Sequence, residues 1–268
     1  MAPTCRSTIG GATIRVPASP FLTPSGESNV NSSGLHAARQ LVLIASTMRS
    51  GSTLLKALLA YAPDVSDLNE VNFQKYAGTN PRLDQMWGLA PQRILVLKRP
   101  AWYHETRRYP RLPGLANRRV ILLVRDVYPT VESLRRMSLG WLAGKERPRF
   151  DRWLAKAYWK PVTERLLALS RQAPDQMRLV RYEDLVARPQ EKTLELFRFI
   201  GSVQSVGTDT YSEPARGGWR WGIDDNSPKI RSLRVQAPKP AAITNPQLGD
   251  WIEQDQALQL LRRELGYC

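Results

Sequence analysis

A short apolar run that leads into a hydroxyl-rich loop constrains the fold of this chain more than any other feature. Residues 41–45, Leu-Val-Leu-Ile-Ala, have the length of a strand and contain no polar side chain, which is typical of a parallel strand buried on both faces. The segment 46–53, Ser-Thr-Met-Arg-Ser-Gly-Ser-Thr, follows, and a helix rich in leucine and alanine is predicted over 53–62. A strand, a glycine-containing loop and a helix in this order direct backbone N–H groups and a helix N-terminus at a bound anion.

Further strands and helices alternate along the rest of the chain. This alternation predicts an α/β fold, a single P-loop-like domain with a mostly parallel central sheet flanked by helices. The segment 202–247 is rich in Gly, Pro and Ser, which indicates a long surface loop. The other strands are predicted at 93–98, 120–125 and 177–181, and the other helices at 130–139, 150–172 with a bend at Pro161, 189–201 and 250–265.

The first 38 residues differ in composition from the rest. Prolines alternate there with Ser, Thr and Gly, and no helical or strand periodicity persists. We therefore predict a disordered leader over 1–38 and one domain over 39–268, with a transit peptide as the alternative for the leader. A secretory signal is disfavoured because the leader has no apolar core, so a cytoplasmic protein is expected, with organellar import as the alternative.

The charge of the chain indicates an anionic partner. Lys and Arg number 39 against 24 Asp and Glu, which gives a formal net charge of +15 and fits nucleic acid, acidic lipid or phosphorylated small molecules. The longest apolar runs are strand-sized, so no membrane span is expected. Cys5 and Cys268 lie at opposite ends of the chain and disfavour a disulfide scaffold. With only His36 and His104 besides, no clustered His or Cys metal site is expected.

The loop over residues 46–53 contains the donors that phosphate oxygens need. Arg49 supplies a forked cation, Gly51 allows close backbone approach, and Ser50, Ser52 and Thr53 supply hydroxyls. A simple helix N-cap is the plainer alternative. The phosphate loop of NTPases has a lysine directly after its second glycine, where this chain has Ser52. The pattern therefore favours a phosphate loop without the usual means of transferring a γ-phosphate.

The segment 49–54, Arg-Ser-Gly-Ser-Thr-Leu, resembles the phosphosulfate loop of the sulfotransferases, their bacterial and carbohydrate-type members in particular. That family uses 3′-phosphoadenosine 5′-phosphosulfate (PAPS), and the resemblance implies that Arg49 to Leu54 bind its 5′-phosphosulfate group. A second match is Arg125 at a strand end with Ser133 eight residues later, the pair that in the family holds the 3′-phosphate. The alternative for Arg125 is a surface ion pair with Asp126 or Glu132.

A weaker match extends the resemblance, and the loop 202–247 is where the resemblance is weakest. The segment 180–185, Val-Arg-Tyr-Glu-Asp-Leu, is similar to a family stretch, and it implies that Tyr182 lines the nucleotide site, with a core tyrosine as the alternative. In the family, basic residues of a loop that corresponds to 202–247 also contact the 3′-phosphate. The candidates here are Lys229, Ile230, Arg231 and Arg234, with Arg231 taken as the binding residue, although the family's Arg-Lys-Gly form is missing.

The resemblance also implies the chemistry. A sulfuryl group would pass from PAPS to a hydroxyl or amine, without a metal. Glu70 would act as the base, with His104 as its rival, and Lys98 would stabilise charge at the bridging oxygen or contact the acceptor. The acceptor would be a small molecule or carbohydrate, which can itself be anionic. The alternatives are a P-loop nucleotide kinase or NTPase, and a basic polyanion-binding protein without catalysis; nucleic acid is disfavoured as the partner.

Overall fold

A parallel four-stranded sheet lies at the centre of the described structure. The computed structural model describes residues 39–66, 68, 86–90, 92–112, 118–138, 147–213, 229–237 and 245–267. Neighbouring strands are parallel throughout, in the order β2-β1-β3-β4. The four predicted strands and the parallel α/β architecture are therefore confirmed. The strands are β1 Gln40–Thr47, β2 Ile94–Ala101, β3 Arg118–Val124 and β4 Met177–Arg181.

Alternate residues of each strand face opposite sides of the sheet. In β1, Leu41 and Leu43 belong to one buried apolar cluster, and Val42 and Ile44 belong to another. None of these four side chains is more than 2% exposed. Burial on both faces explains why the strand reads as a continuous apolar run rather than as an alternation of apolar and polar residues.

Eight α-helices with defined bounds cover the two faces of the sheet within the described part of the chain. Apolar side chains of α1 and α6 join the cluster of Val42, and those of α2, α4, α7 and α8 join the cluster of Leu41. These elements all lie in one unit, Ala37–Cys268. The helices are α1 Ser52–Leu59, α2 Val127–Ser138, α3 Arg147–Trp153, α4 Lys160–Gln172, α5 Tyr182–Ala187, α6 Pro189–Phe199, α7 Pro246–Gln254 and α8 Gln256–Glu264.

The segment predicted as one helix over 150–172 is interrupted by a π-helical turn, Leu154–Trp159. Pro161 has no N–H group and cannot donate to the carbonyl four residues earlier. Directly before it, the Lys160 N–H donates to the carbonyl of Ala155, five residues back. The helix therefore widens at the turn that precedes the proline, where the sequence had predicted a simple bend.

The single helix predicted over 250–265 is wrong, since the structure has α7 and α8 there. The break is at Asp255, whose backbone is extended (φ −82°, ψ 101°) and whose side chain accepts a hydrogen bond from Leu258 N at 3.2 Å. An aspartate in this conformation is a good helix N-cap, so α8 begins where the prediction continued α7. The α2 helix also begins at Val127, three residues before the predicted start.

Several sequence predictions fall outside the described residues. These are the leader over 1–38, the boundary after residue 38, and most of the segment 214–244. Two described parts of the predicted surface loop, Thr210 and Arg234, form an isolated antiparallel bridge. Ile230, in a short 3-10 helix, is buried in the cluster of Val42. Across the residues that the structure describes, no helix combines the length and the apolar character that crossing a bilayer requires.

Candidate functional site

The carboxyl ends of β1 and β3 meet at one edge of the sheet, where ligands bind in open α/β folds. The loop after β1 contains two residues with left-handed backbone, Arg49 (φ 64°) and Gly51 (φ 88°). A Cβ atom on Gly51 would overlap the ring of Tyr182. Glycine is therefore needed at this position for its positive φ and for close packing against that ring.

Three of the candidate residues are joined by hydrogen bonds at this edge. Arg49 Nε donates to Ser133 Oγ at 3.0 Å, and Arg125 Nη1 donates to the carbonyl oxygen of Arg49 at 2.8 Å. The Arg125 guanidinium also lies 4.6 Å from the ring centroid of Tyr182. The structure thus brings Arg49, Arg125, Ser133 and Tyr182 into one group, which contains two guanidinium groups and a hydroxyl, donors suited to phosphate oxygens.

The carboxylates considered as alternative partners of Arg125 are engaged by other arginines. Asp126 forms a two-point contact with Arg262, with Nε and Nη2 at 3.0 and 3.1 Å from its two oxygens. Glu132 accepts from Arg135 at 2.7 Å and from Arg136 at 3.3 Å. The described ion pairs of Asp126 and Glu132 are therefore with Arg262, Arg135 and Arg136.

Lys98 joins the site from β2. Its side chain is only 2% exposed, and its Nζ atom donates to Thr53 Oγ1 at 2.6 Å, in the first turn of α1. Ser52, at the start of the same turn, is 8% exposed, and Ser50 is fully buried with its hydroxyl against that of Thr47. The ammonium group consequently lies beside the helix N-terminus that the loop presents.

Leu54 differs from its neighbours in the motif. It packs as a partly buried residue against the apolar cluster of Val42. Its role in the described structure is therefore to seat α1 on the sheet.

Tyr109 holds the start of the loop and was not among the sequence candidates. Its hydroxyl accepts a hydrogen bond from Ser46 N and donates to the carbonyl oxygen of Arg99, both at 2.6 Å. The side chain is fully buried, and this burial raises the pKa of the hydroxyl well above its usual value. The hydroxyl is thus neutral and can donate and accept at the same time.

Two adjacent residues of the π-helical turn support the site and were also missed. Tyr158 OH accepts from Met48 N and donates to the carbonyl oxygen of Ala101, both at 2.7 Å. Trp159 Nε1 donates to the carbonyl oxygen of Arg125 at 2.8 Å. Burial raises the pKa of Tyr158 as well. No motif spacing in the sequence connects this helical segment to the loop 110 residues earlier, so only the fold reveals these contacts.

The two candidate bases are differently placed. Glu70 lies outside the described residues, and His104 is exposed in the segment after β2. The next residue, Glu105, accepts from Arg99 at 2.7 Å and from Trp102 N at 3.1 Å. Partial burial acts to raise the pKa of Glu105, but these hydrogen bonds outweigh it and the pKa is lowered.

Arg231 is exposed in the short 3-10 helix Ile230–Ser232, beside the buried side chain of Ile230. The carbonyl oxygen of Ile230 accepts a hydrogen bond from Tyr211 OH at 3.0 Å. The segment therefore packs on the face of the sheet that α1 covers. Among the described residues, no three His, Cys, Asp or Glu side chains form a group that could hold a metal ion.

Comparison with known proteins assigns the family. A model of the sulfotransferase domain matches residues 39–212, more than half of the chain. Comparison with the sequences of curated proteins gives no match. Among solved structures, the sulfotransferase domain from the curacin biosynthetic pathway is 22% identical with a TM-score of 0.51, covering 85% of this chain and 97% of its own.

Two further structures share the fold. The sulfotransferase domain of the Synechococcus PCC 7002 olefin synthase is 20% identical with a TM-score of 0.56, covering 87% of this chain and 97% of its own. The mouse sulfotransferase SULT7A1 complexed with PAP, 3′-phosphoadenosine 5′-phosphate, is 12% identical with a TM-score of 0.53, covering 84% of this chain and 88% of its own. The match of the family model over residues 39–212 shows that the chain belongs to the sulfotransferase domain family and is an enzyme of this class.

Proposed function

We propose that this enzyme transfers the sulfuryl group of PAPS to a hydroxyl or amine of a small-molecule or carbohydrate acceptor. The observation that carries the proposal is the hydrogen-bonded group of Arg49, Arg125 and Ser133 at the carboxyl edge of the sheet. PAPS presents two anionic groups to a protein, and this group offers two guanidinium forks and a hydroxyl within one short span. The mouse enzyme with the same fold binds PAP, which supports the same nucleotide here.

Within this proposal, each side of the group binds a different end of the nucleotide. The loop around Gly51, the first turn of α1 and Arg49 would bind the 5′-phosphosulfate, because backbone N–H groups and the helix N-terminus favour an anion there. Arg125 and Ser133 would bind the 3′-phosphate, with Arg231 as a further cation for it. Tyr182 supports both halves, since its ring underlies Gly51 and lies against Arg125.

The reaction would be an in-line displacement at sulfur. The acceptor oxygen or nitrogen forms a bond to sulfur while the bond from sulfur to the bridging phosphate oxygen breaks, and PAP leaves. The acceptor proton passes to Glu70, the proposed base, with His104 as the rival. Lys98, held beside the loop by Thr53, would stabilise the negative charge that develops on the bridging oxygen. An NTPase loop obtains its ammonium from the residue after its glycine, whereas here a lysine of β2 would supply it.

The net positive charge of the chain supports an anionic acceptor. The chain has an excess of 15 positive charges, of which the nucleotide group uses a small part. The remainder fits an acceptor that is itself anionic. Metal independence and a cytoplasmic location remain predictions of the sequence.

Nucleotide binding separates this proposal from its alternatives. Titration calorimetry should give micromolar binding of PAP and at least about tenfold weaker binding of ADP, which lacks the 3′-phosphate, since a charge-assisted contact contributes about 1.5–3 kcal/mol. Equal affinity for both nucleotides together with Mg²⁺-dependent ATP turnover would instead indicate a kinase or NTPase. Strongly salt-dependent DNA binding without PAP affinity would indicate a polyanion-binding protein.

The base is tested separately, with an acceptor panel and chromatographic detection of PAP release from PAPS. Glu70→Gln should abolish most turnover while leaving PAP affinity unchanged, and His104→Asn should retain turnover. Full activity in Glu70→Gln, or loss only in His104→Asn, would overturn the assignment of Glu70.

A further inference from the structure

The β1–β2 pair keeps one parallel register along its whole length. Gln40 N donates to the carbonyl oxygen of Arg93 at 3.0 Å, and the register continues without a slip to the last pair of the two strands. In this register, Ser46 N–H is directed at the carbonyl of Arg99. Two residues later in β1 and the loop, Met48 N–H is directed at the carbonyl of Ala101, two residues after Arg99 in β2.

A tyrosine hydroxyl joins the groups at each of these last two positions. Tyr109 OH accepts from Ser46 N and donates to Arg99 O. Tyr158 OH accepts from Met48 N in the loop and donates to Ala101 O at the end of β2. Both side chains are fully buried and both come from outside the two strands. At the point where the loop leaves the sheet, the backbone groups of the two strands are thus bridged through one oxygen atom.

We propose that Tyr109 and Tyr158 are positioning residues that set the separation between the anion-binding loop and the carboxyl end of β2. Each hydroxyl joins the two segments through two hydrogen bonds, both of 2.6 Å at Tyr109 and both of 2.7 Å at Tyr158, and so holds their backbones at a fixed distance. The effect on catalysis rests on the proposed function; the effect on the backbone does not.

The distance between the loop and β2 matters because each carries a different cation of the site. Arg49 lies on the loop, and Lys98 lies on β2 with its ammonium against Thr53. A change in the gap would move one cation relative to the other. A displacement of about 1 Å at a reacting centre can cost roughly 100-fold in rate, so two buried hydroxyls can control turnover without touching either substrate.

The test uses Tyr109→Phe and Tyr158→Phe in the full chain, with Tyr128→Phe as the matched control. Tyr128 is also buried, and its hydroxyl also accepts a backbone N–H, that of Asn245 at 3.0 Å, but at the start of α7. Amide hydrogen exchange without nucleotide should be at least about fivefold faster at residues 46–48 in the two test variants than in the wild type and the control, because a lost hydrogen bond is worth about 1 kcal/mol or more.

Steady-state kinetics provides the second readout. Both test variants should lose about 10- to 100-fold in kcat with PAPS, and the dissociation constant of PAP should rise by a smaller factor than kcat falls, since the Arg125 and Ser133 side chains that would bind the 3′-phosphate are kept. Replacement of Tyr158 by 4-aminophenylalanine, whose amino group can both donate and accept, should restore most of kcat and of the exchange protection. This rescue also separates positioning from a folding defect.

Unchanged exchange at residues 46–48 in both Phe variants would overturn the inference, as would an equal loss of kcat in Tyr128→Phe. Failure of the 4-aminophenylalanine variant to restore protection would overturn it as well. The exchange measurement needs no nucleotide. An absence of PAPS turnover in the wild type would therefore contradict the proposed function, while the exchange result would still decide whether the hydroxyls position the loop.

Discussion

The guanidinium group of Arg125 donates a hydrogen bond to the main-chain carbonyl of Arg49 at 2.8 Å. Arg49 has a left-handed backbone, with φ of 64°, which costs a non-glycine residue roughly 1–2 kcal/mol. The bond from Arg125 helps to hold the residue in that conformation. The strand end that carries one arginine therefore fixes the orientation of the other, and the two proposed phosphate subsites are mechanically joined.

Arg125→Lys should weaken PAP binding even though the positive charge is kept. Lysine lacks the planar fork that reaches the Arg49 carbonyl and lies over the Tyr182 ring. We expect the dissociation constant of PAP, measured by calorimetry, to rise at least about tenfold, since charge-assisted bonds contribute about 1.5–3 kcal/mol. Arg171→Lys, an exposed site on α4, serves as the control, and equal affinity in both variants would refute the role of the fork.

Gly51→Ala should destabilise the protein and disrupt the loop. The added methyl group would overlap the ring of Tyr182 while the backbone stays at φ 88°. We expect a loss of about 1–3 kcal/mol in the free energy of unfolding in urea, with a parallel loss of PAP binding. Gly88→Ala is the matched control, because a methyl group there meets nothing within 4 Å. Wild-type stability in Gly51→Ala would show that the loop does not depend on this close packing.

Lys98→Met should reduce turnover much more than nucleotide affinity. The thioether side chain fills a similar buried volume but removes the ammonium group beside Thr53. Loss of one charge-stabilising group in the transition state typically costs about 100- to 1,000-fold in kcat, and we expect the PAP dissociation constant to change far less. Thr53→Val, which removes only the hydroxyl, should give a smaller loss of kcat. A rise in KM at constant kcat would assign Lys98 to binding instead.

The contribution of Glu105 to stability should depend on pH. Its pKa in the folded protein is lowered from 4.5, because the bonds from Arg99 and Trp102 N outweigh the effect of burial. A lowered folded-state pKa gives stability that is present above 4.5 and is lost as the pH falls through the folded value. Glu105→Gln should therefore cost at most about 1 kcal/mol at pH 7, and the difference from wild type should shrink toward pH 4.

Urea unfolding between pH 4 and 7 measures this effect. Glu253→Gln is the control, since that side chain is 71% exposed. A constant difference between Glu105→Gln and wild type over the whole range would contradict a role for the ionised carboxylate.

The parts of the structure that depend on local pattern were predictable. The strands appear as apolar runs because both faces of the sheet are covered, and the loop of Gly51 follows from a glycine between hydroxyl residues. The prediction of one helix over 250–265 was wrong for a local reason. Asp255 competes for the N–H groups of the following turn and starts a new helix, although the apolar periodicity runs on through it.

The supporting residues of the site were not predictable, because their contacts join distant segments. Tyr158 reaches Met48 across 110 positions, and Arg262 reaches Asp126 across 136. No spacing rule connects such pairs. The motif residues could be found because their spacing from a strand is short and visible in the sequence, whereas the residues that hold them depend on how the π-helical turn Leu154–Trp159 and helix α8 pack.

The π-helical turn of Leu154–Trp159 makes the spacing of this segment intolerant of insertions and deletions. A π-helical turn contains one more residue than an α-helical turn, and this extra residue lets two consecutive side chains, Tyr158 and Trp159, both reach the site. Deleting a single residue here would restore a regular helix and rotate one of the two away. Homologues that keep both contacts should therefore conserve the length of this turn more strictly than its composition.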